Sequence, residues 1–161
     1  MRALAPLAVC LFACSPPPID PEAGCDTGVA RVEVGTWRAG RLSSIPSEGG
    51  ELTIVRGAQG GIHVLVGAWV SDVDLELSLG YRLTDPETSE TLGIPTQLEL
   101  RPELFDRTGP RPERGPDLLV LDNSAQPVAM FAGRAVSLEA ETRSRDGSHA
   151  CDRRTVTLLG D

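Results

Sequence analysis

The chain has 161 residues, with 15 basic residues, all Arg, against 23 acidic ones and a formal net charge of −8. This acidity disfavours nucleic acid and anionic lipid surfaces as partners, because binding to either rests on positive charge displacing counterions. The length suits one domain with a hydrophobic core and leaves little room for a second.

Arg2 supplies one positive charge ahead of Ala3 to Ala13, a run with no charged or strongly polar side chain. The run is too short for a transmembrane helix, which needs about 20 apolar residues. It breaks off at Ser15-Pro16-Pro17-Pro18. Its end, Leu11-Phe12-Ala13-Cys14, resembles the cleavage and lipidation box of bacterial lipoproteins, with Leu at minus three, a small Ala at minus one and then the modified cysteine. Cys10 competes less well, because Val9 precedes it.

The resemblance implies a signal peptide over residues 1–13 and lipid on Cys14, as a diacylglyceryl thioether often joined by an N-acyl chain such as palmitate. Each buried methylene would add about 0.8 kcal/mol of membrane affinity, so two or three chains anchor durably. Ser15, in place of an Asp that would favour inner-membrane retention, implies an exported protein anchored in the outer membrane. The plainer alternative is an ordinary secretory signal that leaves Cys14 as a thiol.

With Cys10 removed and Cys14 lipidated, as the resemblance implies, Cys25 and Cys151 remain as one pair in an oxidising compartment. They are expected to form a disulfide joining the two ends of the domain. On the chain-entropy model a closure this long contributes about 4 to 5 kcal/mol as an upper figure. Two free thiols are the alternative.

Residues 14–24 hold four prolines and no apolar periodicity, so they read as an extended tether ahead of a single domain over residues 25–161. Beyond the tether, period-two alternation dominates. Ala30, Val32 and Val34 predict a half-buried strand, and Glu51 to Arg56 predicts another that pairs through a glycine-rich turn with Ile62 to Val70. That second strand is apolar on both faces, as in the covered centre of a sheet.

Val73 to Leu83 alternates most regularly and predicts one continuous strand, with only Pro86 to Leu92 suggesting a helical turn. Thr96 to Arg101, Asp117 to Asp122, Val136 to Glu141 and Thr155 to Leu159 complete the series. Short strands at this spacing predict an all-β fold, an antiparallel immunoglobulin-like β-sandwich of about 7–9 strands. The tyrosine corner and the paired core cysteines of that family are missing, so the likeness is architectural and transfers no function.

Candidate chemistry is sparse. Two histidines, His63 and His149, are too few for a histidine-rich metal site, and His63 reads as a strand histidine bonded to backbone. No Gly-x-Ser-x-Gly elbow occurs, no catalytic residue is assigned, and no cofactor is expected. Asp72, Asp74 and Glu76 alternate on the expected strand, which makes them the sharpest calcium candidate, although same-face carboxylates on a straight strand stand about 6.5 to 7 Å apart. The solvated-face reading is favoured.

The proline- and arginine-rich stretch from Arg101 to Pro116 reads as a long loop, with Leu104 and Phe105 tucked against the domain or, failing that, docking a partner beside Arg107 and Arg111. Trp37 and Trp69 read as core or rim aromatics. Gln59-Gly60-Gly61-Ile62-His63-Val64 looks like a stretch of uncharacterised envelope lipoproteins of myxobacterial type, which implies a shared domain and no known activity. The expected function is a non-catalytic, membrane-anchored binding module for an envelope protein or glycan. The alternative is a structural accessory subunit of an envelope or secretion complex.

Overall fold

The computed structural model describes residues 26–27, 29–46, 49–122 and 128–160. The expected signal peptide (1–13), the tether (14–24), Cys14 and Cys25 lie outside the described residues. Ten strands are described: β1 Asp26–Thr27, β2 Arg31–Arg38, β3 Arg41–Ser44, β4 Gly50–Arg56, β5 Ile62–Ser71, β6 Leu77–Thr84, β7 Thr91–Leu100, β8 Glu113–Asp122, β9 Ala135–Ser144 and β10 His149–Leu159. The fold is all-β, as the alternation predicts.

The expected open sandwich is not what the pairing shows. Seven strands close a ring in the order β10-β9-β6-β7-β8-β5-β4, and β4 returns to β10. β4 makes the closure because it changes partner midway. Gly50 to Thr53 lie parallel to Val156 to Leu159, and Ile54 to Arg56 lie antiparallel to Val64, His63 and Ile62. Nothing in a single strand's periodicity announces a parallel partner about a hundred residues away, so sequence reading defaults to an open edge there.

The opposite corner is β7. It pairs with β6 along its length, but its ladder with β8 is a single pair, Ile94 with Val120. An irregularity between the Tyr81–Thr96 and Leu83–Leu92 pairs turns the strand toward β8. Gly93, at φ +75°, serves this corner, since a Cβ there would run into the Val120 carbonyl. Bulges and glycines of this kind are how sheets bend into barrels.

Inward residues follow the predicted alternation. Val64 and Val66 of β5, Leu79, Tyr81 and Leu83 of β6, Leu119 of β8, Leu138 and Ala140 of β9 and Leu158 of β10 are fully buried in one cluster. β2 and β3 form a hairpin outside the ring. Its Val34 amide donates to Asp152 Oδ2 of β10 at 2.9 Å, so a side chain ties these strands where no ladder runs between them.

Two expected elements change. The strand predicted from Val73 starts only at Leu77; residues 72–76 form a bend in which Asp72 has φ 55°. Val73 and Leu75 still pack partly on the core, so their apolar spacing reflects burial and not strand geometry. The stretch expected as loop up to Pro116 is strand from Glu113 onward. Among the described residues no helix is long and apolar enough to cross a membrane.

Candidate functional site

The outer face of β5, β8 and β7 differs from the rest of the surface in carrying no charge along its middle. Leu65 faces Leu118 across the β5–β8 ladder, His63 faces Val120, and Val120 faces Ile94 of β7. These four apolar side chains therefore form one contiguous row. Leu118 is 52% exposed and Ile94 is 49% exposed, although each sits on a regular strand. Thr96 donates to the Leu118 carbonyl at 2.9 Å and holds β7 beside β8 under the row. In a chain with 24% charged residues, this uncharged, partly exposed sheet face is a candidate contact surface.

One flank of the row is a small outer core built on glycine. Gly35 of β2 pairs with Gly67 of β5, and Leu42 of β3 lies over both, buried at 7% exposure. A Cβ on Gly115 would stand 3.0 Å from Trp37, and one on Gly35 would stand 3.1 Å from Trp69, so both indoles rest on backbone. Arg111 lies over the Trp69 ring, with its guanidinium carbon 4.9 Å from the ring centroid. Trp69 Nε1 donates to Glu113 at 3.2 Å.

Arg111 also pairs with Glu33 at 2.6 Å, and Ser44 donates to the same carboxylate at 2.8 Å. Burial pushes the Glu33 carboxyl up, but the hydrogen bonds from Arg111 and Ser44 outweigh it and hold it below the usual range. Trp37 and Trp69 are thus rim aromatics, in agreement with the sequence reading.

A second polar group runs across the outer face of β6, β9 and β10. Glu139 accepts from Arg82 at 2.6 Å and from Arg153 at 2.6 Å, while Glu141 Oε1 accepts from Arg143 at 2.6 Å and lies 2.8 Å from His149 Nε2. Both carboxylates are buried. Held this way, they crosslink three strands and are poorly placed to act as bases.

The sequence candidates are dispersed. Phe105 is buried at 6% exposure, whereas Leu104, in a 3-10 turn over Pro102–Leu104, is 45% exposed, so only Phe105 is tucked. Arg107 is exposed beyond it, and Arg111 is committed to Trp69 and Glu33. Asp72, Asp74 and Glu76 do not share a strand face: they lie on the bend, where Asp74 Oδ1 accepts from the Glu76 amide and Glu76 pairs with Arg145. Among the described residues no three His, Cys, Asp or Glu side chains converge on a point that could hold a metal.

His63 is half-buried beside Gly57, and His149 opens β10. Cys151 is disulfide-bonded. The apolar row escaped sequence reading, although Leu118-Leu119-Val120-Leu121 is apolar at alternate positions on both faces, which was the available signal.

No family model matches this chain, and no curated protein does. Among solved structures, the N-terminal domain of PorA is similar, with 9% identity, 79% of this chain and 96% of that one covered, and a TM-score of 0.31. A likeness at that level carries no argument about fold or function.

Proposed function

We propose that this protein is an exported, non-catalytic interaction module, lipid-anchored through Cys14 to the outer membrane, with a disulfide between Cys25 and Cys151 joining the two ends of its domain. The observation that supports the interaction reading is the uncharged row Leu65, Leu118, Val120 and Ile94 on the outer sheet face, in which Leu118 and Ile94 are about half exposed. Adjacent apolar side chains on neighbouring strands leave a continuous apolar strip in water that a partner would cover. The partner reading is an envelope protein whose own surface is apolar and uncharged, since a charged one would lose solvation against this face without compensation.

The test is crosslinking in intact cells followed by mass spectrometry, with the native chain compared with Leu118→Asp. Loss of a crosslinked partner in the variant, at unchanged melting temperature, supports the reading; an identical crosslink pattern overturns it. Mass spectrometry of the membrane fraction tests the anchor separately, and an unmodified Cys14 in a soluble mature chain would refute it.

A further inference from the structure

We infer that a groove at the β10-entry end of the barrel binds a phosphate group through Arg101, Arg143 and Ser78. The groove has a volume of about 380 Å³ and runs over β6, the end of β7 and the end of β9. It is lined by three arginines, Arg101, Arg143 and Arg145, with Glu76 and Glu99 as the acids. Counting Glu141, which lies behind Arg143, the site is electrically neutral, in contrast to a chain of charge −8. It is thus a place where three guanidinium groups offset the carboxylates beside them, unlike the net acidic surface of the chain.

What distinguishes the groove is donor capacity left unused. Arg145 donates from Nη1 to both oxygens of Glu76, at 3.0 and 3.2 Å, on the exposed side of the groove. Arg143 is held by Glu141 through Nε alone, which orients the guanidinium and leaves its two terminal amino groups uncommitted among the described residues. Arg101 has no ion-pair partner among the described residues. Ser78 Oγ accepts from Gln97 at 3.0 Å, so its own hydroxyl proton is available to donate.

Ser78 stands on β6, Arg143 on β9 and Arg101 just past the end of β7, so the donors reach the groove from three separate segments. A tetrahedral phosphate accepts from several sides at once, whereas a planar carboxylate is satisfied by one guanidinium fork. Phosphate is therefore the chemistry that uses the whole set.

The register fixes where this groove lies. Thr27 faces His149, His149 faces Arg143, Arg143 faces Ser78 and Ser78 faces Glu99, one row across five strands. At about 4.8 Å per strand, Ser78 is about 14 Å from the first described residues of the chain. A phosphate could arrive free or on a lipid headgroup. The groove alone carries the inference, and it stands whether or not Cys14 is lipidated.

The test uses the full chain in detergent, titrated with inorganic phosphate at constant ionic strength while amide and guanidinium resonances are followed by NMR. Saturable shifts centred on Ser78, Arg101 and Arg143 are expected, weakened about tenfold or more in Arg101→Gln and again in Arg143→Gln, and strengthened in Glu99→Gln, which removes an opposing charge. Dihexanoyl phosphatidic acid in a parallel titration distinguishes the sources: tighter binding than inorganic phosphate assigns a lipid headgroup, and weaker binding assigns free phosphate. Absent shifts with both ligands, or shifts that persist unchanged in the double arginine variant, overturn the proposal. The crosslinking result at Leu118 is unaffected either way, because that residue lies on a different face.

Discussion

Tyr81 donates its phenolic hydrogen to Asp117 Oδ2 at 3.1 Å inside the barrel, and Arg114 reaches the other oxygen of the same carboxylate at 2.6 Å. Tyr81 and Asp117 are 1% and 4% exposed, so this is a buried acid whose ionised form is supported by one hydroxyl and one guanidinium. The bulge that makes it possible is visible in the register, where Val66 pairs with Asp117 and Ala68 with Arg114, leaving Gly115 and Pro116 unmatched between them.

Removing the phenolic donor, as in Tyr81→Phe, is expected to lower stability by about 1 to 2 kcal/mol at neutral pH in urea unfolding, since a buried carboxylate oxygen loses its partner. No change would mean that Arg114 alone satisfies the acid.

Burial pushes the Asp117 carboxyl up, and the nearby Arg114 charge and the Tyr81 hydrogen bond only partly offset it. The sign follows from linkage: between the unfolded value near 3.8 and the raised folded value, the native state holds the proton more tightly than the unfolded chain does. Asp117 therefore lowers stability as pH rises through that window and favours the fold on the acid side. The stability advantage of native protein over Asp117→Asn should widen as pH falls from neutral toward 3.8. A difference that stays constant or narrows on acidification would contradict this.

Glu33 has the opposite sign. Its folded value is lowered by Arg111 and Ser44, so its contribution is present above the unfolded value of 4.5 and is lost as pH falls through the folded one. Because the pair is partly exposed, Glu33→Gln is expected to lower stability at neutral pH by only about 0.5 kcal/mol, less in high salt. Arg111→Ala should do more, since it also uncovers Trp69, and tryptophan emission should shift to the red.

Much of the strand content was legible because burial on one side of a strand forces period two, which β2, β6 and β9 carry most plainly, while β5 was legible as a run apolar on both faces. The ring closure was not, because it depends on β4 meeting β10 in parallel and on β7 bending at Gly93, relationships between distant segments that leave no local pattern. The strand predicted from Val73 failed for a related reason: Val73 and Leu75 are apolar to pack on the core from a bend, and burial alone cannot distinguish that from a strand. Of the candidate site residues, Leu104 and Phe105 were recognised as an apolar pair, but which of the two faces inward depends on the 3-10 turn.

The glycine pavement offers a test of packing. A Cβ on Gly67 would stand 2.5 Å from the Arg114 carbonyl oxygen and 2.8 Å from Leu42 Cδ1, and the first of these is backbone that cannot step aside. Gly67→Ala is therefore expected to destabilise by about 1 to 3 kcal/mol, by overpacking. Gly109→Ala, in the loop, meets only the Arg111 carbonyl at 3.8 Å and should be near neutral. Equal effects at the two sites would show that Leu42 and β8 are not held against β5 as described.

Phe105 and Leu104 separate a packing role from a docking role within one dipeptide. Phe105 is 6% exposed and belongs to the core cluster, while its neighbour is 45% exposed and outside it. The turn is fixed on both sides, by the Leu104 amide on the Arg101 carbonyl at 2.9 Å and by Asp106 and Glu113 exchanging both backbone hydrogen bonds at 2.8 and 2.9 Å. Phe105→Ala should thus cost about 3 to 5 kcal/mol, because the cavity cannot close without breaking that bridge. Leu104→Ala should change stability by less than about 0.5 kcal/mol. Denaturant unfolding of both variants measures this directly. If Leu104→Ala weakens a crosslinked partner without changing stability, the contact surface extends from the sheet face onto this turn; if Phe105→Ala is as mild as Leu104→Ala, the loop is not part of the core.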